Sequence, residues 1–283
     1  MSSDPKHFKG WAKPGPEAPG YTDPSLVPEP GETLDAISGH FRLFQLKEGH
    51  RFSTDDLLTA WYGTTCVPSA RTVLDLGSGI GSVATIAAWR LQGARLVTVE
   101  AQTESVRLAK KSALFNGLSG RYEIRHGDFR DPAMIRPGEK FDLVLGSPPY
   151  FPLGTGMLAE HPQKMACRFE MKGDIQDYCQ TASKHLEPGG VFACVFPISP
   201  QSQKDRVFEG ARKSGLIVTR FRPVVLREDE APLLGLFILM HSEDLPNDFR
   251  NKPFEESALI IRRKDGSVDP EYSSVKLSIG FPP

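Results

Sequence analysis

The run Ser147-Pro148-Pro149-Tyr150 follows the apolar stretch FDLVLG and carries the residue types suited to holding a planar amine. Two prolines stiffen the backbone and remove two N–H donors, leaving carbonyls that can only accept. The Ser147 hydroxyl and the Pro148 carbonyl can then receive the two hydrogens of an amino group, while Tyr150 stacks on the ring that bears it. Such a cradle positions the nitrogen, fixes its orientation and localises a lone pair that conjugation otherwise spreads into the ring. The proton leaves only after the nitrogen has acted as nucleophile, so no strong general base is required.

A second constellation lies upstream. Asp75-Leu-Gly77-Ser78-Gly79-Ile-Gly81 sits between an apolar strand and a helix, where missing Cβ atoms let backbone approach a ligand closely. The next strand ends at Glu100, whose carboxylate can accept from both hydroxyls of a ribose. Gly127-Asp128-Phe129 follows the third strand. There Asp128 can accept from an adenine amine, and Phe129 either walls the adenine or belongs to the core. Glycines plus an acidic strand end fit a nicotinamide dinucleotide or S-adenosylmethionine. The G-x-G-x-G spacing departs from the G-x-G-x-x-G of dinucleotide sites and favours the latter.

These residues must be carried by a regular alternation. Strands are predicted at Thr72–Leu76, Arg95–Val99, Tyr122–Arg125, Asp142–Leu145 and Val191–Phe196. Helices are predicted at Ser82–Gln92, Glu104–Phe115 and Ile175–Leu186, and two late strands at Leu216–Arg222 and Leu233–Met240, joined by a polar linker. Crossovers of this length demand an α/β, doubly wound, mostly parallel sheet of seven strands with helices on both faces. Upstream, FRLFQLK (Phe41–Lys47) reads as a short strand. Ser53 or Thr54, with Asp55-Asp56, reads as an N-cap and acidic first turn of a helix that buries Leu57, Leu58, Trp61 and Tyr62. Residues 1–32 hold the proline- and glycine-rich stretch Pro14–Gly31 and are expected to form an extended or disordered arm. Residues 33–283 form one domain, with a cap segment over 33–70 and a core with C-terminal strands over 71–283.

Composition bounds the partners. A formal net charge of −1 over 283 residues argues against a uniformly basic nucleic-acid binder, so any nucleic acid must meet a local basic face. No apolar run approaches the ~20 residues of a membrane span, and MSSDPKHFKGW lacks the apolar core of a secretory signal. The expected setting is the cytoplasm, with a monomer as the default. Cys66, Cys167, Cys179 and Cys194 show no C-x-x-C spacing and read as reduced structural thiols. His50 and His126 lie near the ligand loops without metal-ligand spacing and read as structural, so no metal is expected.

The ordered pattern D-x-G-x-G-x-G, acidic strand end, then S-P-P-Y resembles class I S-adenosylmethionine-dependent amino-methyltransferases with their Rossmann-like sheet, over roughly residues 35–274. In particular it resembles the tRNA adenine-N6 methyltransferases that modify the anticodon loop of valine tRNA. LDAISGHFRLFQLKEGHRFSTDDLLTAW resembles that family's early segment, Phe151 follows Tyr150 as in its extended motif, and LREDEAPLLGLFIL and LIIRRKDGSVDPEYSSV resemble its later segments. The resemblance implies that Asp75, Gly77, Ser78, Gly79, Gly81, Glu100, Asp128 and Phe129 bind S-adenosylmethionine. It also implies that Arg51, Phe52 and Thr54 lie over its methionine end, with Arg51 either pairing the cofactor carboxylate or sitting solvated on the surface. Ser147, Pro148, Pro149 and Tyr150 would be catalytic. Phe151, Lys164, Arg168 and Lys172 would meet substrate, and Arg220, Arg222, Arg227, Arg262, Arg263 and Lys264 would extend a basic track that Glu228, Asp229 and Glu230 interrupt.

The family usually has asparagine where this chain has Ser147, and a hydroxyl can rotate to donate where an amide carbonyl cannot. The implied reaction is methylation of adenine N6 in RNA, most plausibly tRNA. A protein glutamine amide, cytosine N4 and guanine N2 present the same planar nitrogen and stay open. An inactive methyltransferase-fold partner subunit would show degenerate glycines or a broken P-P-Y, and neither is present.

Overall fold

The computed structural model describes residues 6–8, 10–150, 163, 170–250 and 252–281. The chain opens with β1 (His7–Phe8) and β2 (Trp11–Ala12), a short antiparallel pair. The proline- and glycine-rich stretch then follows an extended path across the domain rather than hanging free. Ala18 and Gly20 are buried, and a Cβ on Gly20 would come within 2.3 Å of the Phe115 ring. Tyr21 meets the same ring edge-on at 5.1 Å. Proline leaves this segment little conformational entropy to lose, so a few such contacts suffice to seat it.

β3 (Glu32–Ser38) and β4 (Phe41–Leu46) form an antiparallel hairpin, of which sequence patterning indicated only the second strand. α1 (Thr54–Cys66) begins at Ser53, whose N–H donates to Asp56 Oδ2 at 3.0 Å in a capping box. The alternation follows as β5 (Thr72–Leu76), α2 (Ser82–Arg90), β6 (Arg95–Glu100), α3 (Thr103–Phe115), β7 (Tyr122–His126) and β8 (Phe141–Gly146). After the segment outside the described residues come α4 (Ile175–His185), β9 (Leu186–Pro197), α5 (Gln201–Lys213), β10 (Leu216–Arg227) and β11 (Leu234–His241). The short strands β12 (Phe254–Glu255) and β13 (Leu259–Arg262) and the helix α6 (Pro270–Ser278) close the chain.

The seven expected strands form one sheet in the order β10-β11-β9-β8-β5-β6-β7, parallel from β9 to β7 and antiparallel where β11 inserts. The sheet is larger than expected: β12 and β13 both pair parallel with β10, giving nine strands. Period-two alternation divides each central strand between two cores. Val191, Ala193 and Val195 of β9 join the core that holds α1, α2 and α3, while Phe192, Cys194 and Phe196 join the core under α4 and α5. The sheet is thus doubly wound with helices on both faces. α5 escaped sequence reading because it is mostly polar and buries only Val207, Gly210 and Ala211.

Candidate active site

The chain leaves β5 for β6 on one side, while β8 pairs on the other, so the carboxyl ends of these strands form the crevice where open α/β sheets bind ligands. Register sets Leu76 of β5 beside Val99 of β6 and Gly146 of β8. The loops leaving these three positions line a cleft of about 530 Å³, within the size of small-molecule sites.

Two glycines of the first loop are required for different reasons. Gly79 has φ 55° and a Cβ added there would meet nothing within 4 Å, so bare backbone faces the cleft. At Gly77 a Cβ would come 2.2 Å from the hydroxyl of Tyr178 on α4. Tyr178 lines the cleft and also packs over Gly146. Nothing in the spacing of α4 distinguishes this tyrosine from an ordinary core residue.

Three buried carboxylates stand behind the loop. Glu100 ends β6 and accepts from Gly79 N–H at 2.8 Å and from Gln102 N–H at 2.7 Å. Burial pushes its carboxyl up, against the pull of those backbone donors. Asp56 is pushed up to about 6 by burial, opposed by Ser53 N–H and the Ser82 hydroxyl. Asp75 is raised well above the ordinary range, first by burial and then by the charge of Asp56. Among the described residues, its Oδ2 and the nearby Ser78 Oγ are buried without a hydrogen-bond partner. Unmet groups of this kind are costly, and a cationic, hydrogen-bonding ligand in the cleft would meet them.

Opposite lie Asp128 and Phe129. Arg130 bonds Asp128 at 2.6 and 2.9 Å and holds its carboxyl below the usual range. The Phe129 ring stands edge-on to Tyr178 at 4.6 Å, so it serves both the core and the cleft wall.

The third side is the S-P-P-Y run. Pro148 and Pro149 are buried. Tyr150 meets Phe196 edge-on at 5.9 Å, and its hydroxyl donates to Asp55 Oδ2 at 2.5 Å. Ser147 lines the same side of the cleft. Burial, then the Asp55 charge, push the phenol well above its ordinary value. Gln163 is buried, accepts from His50 N–H at 2.9 Å and donates to Ser105 Oγ at 3.0 Å.

The cleft thus gathers Asp75, Gly77, Ser78, Gly79, Glu100, Asp128, Phe129, Ser147, Pro148, Pro149, Tyr150 and Lys172 from the expected set. Four expected cofactor residues lie off it. Arg51 pairs with Asp35 at 2.9 Å and donates to Thr33. Phe52 packs on the core of the α1 face. Thr54 is the first residue of α1 and stands outside the cleft lining. Gly81 caps α2 against Tyr122, whose hydroxyl a Cβ would approach at 2.6 Å. Phe151, Lys164 and Arg168 lie outside the described residues. The basic track is also revised: Arg222 is buried, pairs with Glu271 at 2.6 Å and lies over the Trp61 ring. Arg220 pairs with Glu256, Arg263 with Asp269 and Lys264 with Asp229.

Asp55 and Asp56 were legible as the acidic first turn of α1, which explains their helix but not their place in the cleft. Among the described residues no group of three or more His, Cys, Asp or Glu could hold a metal ion, and no helix is long and apolar enough to cross a membrane.

Comparison with known proteins agrees with this architecture. Over 232 residues the chain is 26% identical to the tRNA1(Val) (adenine(37)-N6)-methyltransferase of Vibrio cholerae serotype O1, covering 81% of this chain and 89% of that one. Over 231 residues it is 29% identical to the protein of the same name from Porphyromonas gingivalis, covering 78% and 85%. In fold it is similar to a predicted O-methyltransferase from Agrobacterium tumefaciens, with a TM-score of 0.57 at 20% identity, covering 81% of this chain and 98% of that one. The family model for the methyltransferase small domain matches residues 57–205. That span runs from α1 through the glycine loop and the S-P-P-Y cradle to α5, and the chain therefore belongs to the methyltransferase small domain family and is an S-adenosylmethionine-dependent methyltransferase.

Proposed function

We propose that this chain methylates the exocyclic N6 amine of an adenine in tRNA. The observation that carries the reading is the pairing of Leu76 with Gly146. Adjacent strands lie ~4.8 Å apart, so the glycine loop and the amine cradle start side by side at one edge of the sheet. Relatives of nearly the same length bear the name of a tRNA adenine-N6 methyltransferase, which supports adenine over other planar amines.

S-adenosylmethionine, when bound, supplies an electrophilic methyl group on a sulfonium centre. Its fit here rests on the unmet acceptors: Asp75 Oδ2 and Ser78 Oγ have no hydrogen-bond partner among the described residues, and the ligand brings an ammonium and a sulfonium charge. Gly77 and Gly79 offer a backbone surface to it. Glu100 still has lone pairs for ribose hydroxyls beyond those taken by Gly79 and Gln102. Asp128 and Phe129 frame the adenine end. The Ser147 hydroxyl and the Pro148 carbonyl accept the two amine hydrogens, Tyr150 stacks on the base, and buried Pro148 and Pro149 keep water from the nitrogen. Lys172, on the cleft wall, faces the phosphates of the incoming strand. A tRNA substrate places the reaction in the cytoplasm.

Mass spectrometry of tRNA nucleosides from cells with and without the gene tests the reading. Loss of N6-methyladenosine from tRNA on deletion, and its return on complementation, is the expected result. An unchanged tRNA profile accompanied by loss of a methylated glutamine in protein would transfer the cradle to a different acceptor.

A further inference from the structure

Away from the cleft, residues 11–14 of the N-terminal arm, residues 36–39 at the turn of the β3–β4 hairpin and the end of α6 enclose a second cavity of about 240 Å³. Its walls include Trp11, Ile37, Leu277 and Phe281, and the charged residues that line it are Lys13 and Arg42. We propose that this cavity holds one base of the tRNA, stacked on Trp11, with the adjoining phosphate on Lys13 and Arg42; this rests on the tRNA reading above.

The walls are fixed to one another. Gly39 N–H, at the hairpin turn, donates to the Gly280 carbonyl at 2.8 Å, and a Cβ on Gly39 would strike the Pro14 carbonyl. Arm, hairpin and the segment after α6 therefore meet at one glycine. Lys13 N–H donates to the Lys6 carbonyl at 2.9 Å, which ties the β1–β2 pair to the rim.

Size narrows the ligand. Whole small-molecule sites run to roughly 300–1,000 Å³, so this cavity suits one ring system, with sugar and phosphate left at its mouth. Charge narrows it further. Arg42 donates to the carbonyls of Gly39 and Phe41, and among the described residues no carboxylate lies within ion-pair distance of it. The acid whose charge reaches it, Asp35, pairs instead with Arg51 at 2.9 Å. Lys13 and Arg42 converge on one ring, their charged ends 5.6 and 5.5 Å from the centroid of Tyr21. Two cations this close repel, and a phosphate between them would replace that repulsion with two attractions.

Trp11 supplies the aromatic face. It stands exposed on β2 at the edge of the cavity, and bases of any identity stack on such a ring. Residues 6–13, KHFKGWAK, interleave three lysines with aromatics and contain no acid. A chain of net charge −1 gains there the local basic stretch that RNA requires. The hairpin turn at this cavity and the connection that carries His50 into the cleft leave opposite ends of the six-residue strand β4. At ~3.3 Å per residue the two sites lie about 20 Å apart, so a free nucleoside occupies one or the other, whereas a structured RNA can span both.

The test measures binding of purified, unmodified tRNA to the full chain across a range of salt. Trp11→Ala should weaken binding about fivefold to a hundredfold, the worth of one stacked base. Lys13→Met and Arg42→Met should each lower the slope of affinity against salt by about one unit. S-adenosylmethionine affinity within about twofold by calorimetry shows that each variant is folded; should Arg42→Met not fold, Trp11→Ala and Lys13→Met carry the test. tRNA should also quench tryptophan emission. Trp11→Phe, which leaves Trp61 and Trp89, should lose most of that quench and keep most of the affinity.

Affinity, salt slope and quench all indifferent to Trp11→Ala and Lys13→Met would overturn the proposal. Quenching of Trp11 by a small aromatic acid such as indole-3-carboxylate, with none by tRNA, would overturn it too and give the cavity to a free anion. tRNA binding that depends on Trp11 and Lys13, in a chain that transfers no methyl to tRNA, would sink the methylation reading and uphold the site. Methylation of tRNA with binding unmoved by these substitutions would do the reverse.

Discussion

The backbone N–H of Gly79 donates to Glu100 Oε2 at 2.8 Å, which joins the glycine loop after β5 to the acidic end of β6. The carboxylate that is to receive a ribose also holds the loop that approaches the ligand. Glu100→Ala should therefore weaken S-adenosylmethionine binding by about 1.5–3 kcal/mol, the scale of a lost charged hydrogen-bond partner. Glu100→Gln should weaken it less, since an amide oxygen can still accept from Gly79. Titration calorimetry checks both, and binding of a nicotinamide dinucleotide in place of S-adenosylmethionine would refute the assignment.

The buried acids behind the loop predict a pH dependence of stability. Asp56 titrates at about 6 in the folded protein and near 4 unfolded, so the folded state holds the proton more tightly. Its contribution is fully present below pH ~4 and is lost as pH rises through 6. Asp56→Asn, which keeps an acceptor for Ser53 N–H, should raise stability at pH 7.5 by about 2 kcal/mol and change it little at pH 4. Asp75 and Glu100 are shifted in the same direction, so some slope should survive the substitution. Urea unfolding of the ligand-free protein at the two pH values decides, and a loss of stability at pH 7.5 would contradict it.

Arg222 is part of the scaffold. It is buried against Trp61, donates to Ser257 carbonyl at 3.0 Å and pairs with Glu271. Arg222→Met should cost about 2–3 kcal/mol of folding stability. The slope of tRNA binding against salt should not change, whereas loss of a phosphate contact would lower it by about one unit. A lowered slope with unaltered stability would return Arg222 to the RNA surface.

Tyr150→Ala should lower kcat/KM for the acceptor about tenfold to a hundredfold, the worth of one stacked base at about 1–3 kcal/mol. Its affinity for S-adenosylmethionine should change far less. Equal losses in transfer and in cofactor binding would make Tyr150 part of the cofactor pocket.

The parts of this site that were legible in the sequence are those encoded locally. Thr72–Leu76 followed by Gly77, Gly79 and a helix is a continuous strand, turn and helix, and both boundaries of that strand coincide with its pattern. Ser147–Tyr150 likewise follows its strand directly. What stayed hidden depends on chain crossings. Asp55 meets Tyr150 from 95 residues away, and Tyr178 reaches Gly77 only because α4 lies across the end of β5. Arg51 belongs to a motif expected over the cofactor, but the β3–β4 hairpin offers it Asp35 and Thr33. Arg222 reads as a surface charge in a strand of mixed polarity until Glu271 of α6 is brought over it. The two added strands, β12 and β13, are too short to carry a pattern.

The most direct test of the account is transfer of labelled methyl from S-adenosylmethionine to purified, unmodified tRNA, followed by nucleoside analysis. An unpaired adenine in a loop can be splayed out and stacked, whereas a paired one must first be extracted at a cost of a few kcal/mol. The account predicts label in N6-methyladenosine at a loop position, with transfer falling steeply as salt rises. Robust labelling of a protein with none in any RNA would contradict it.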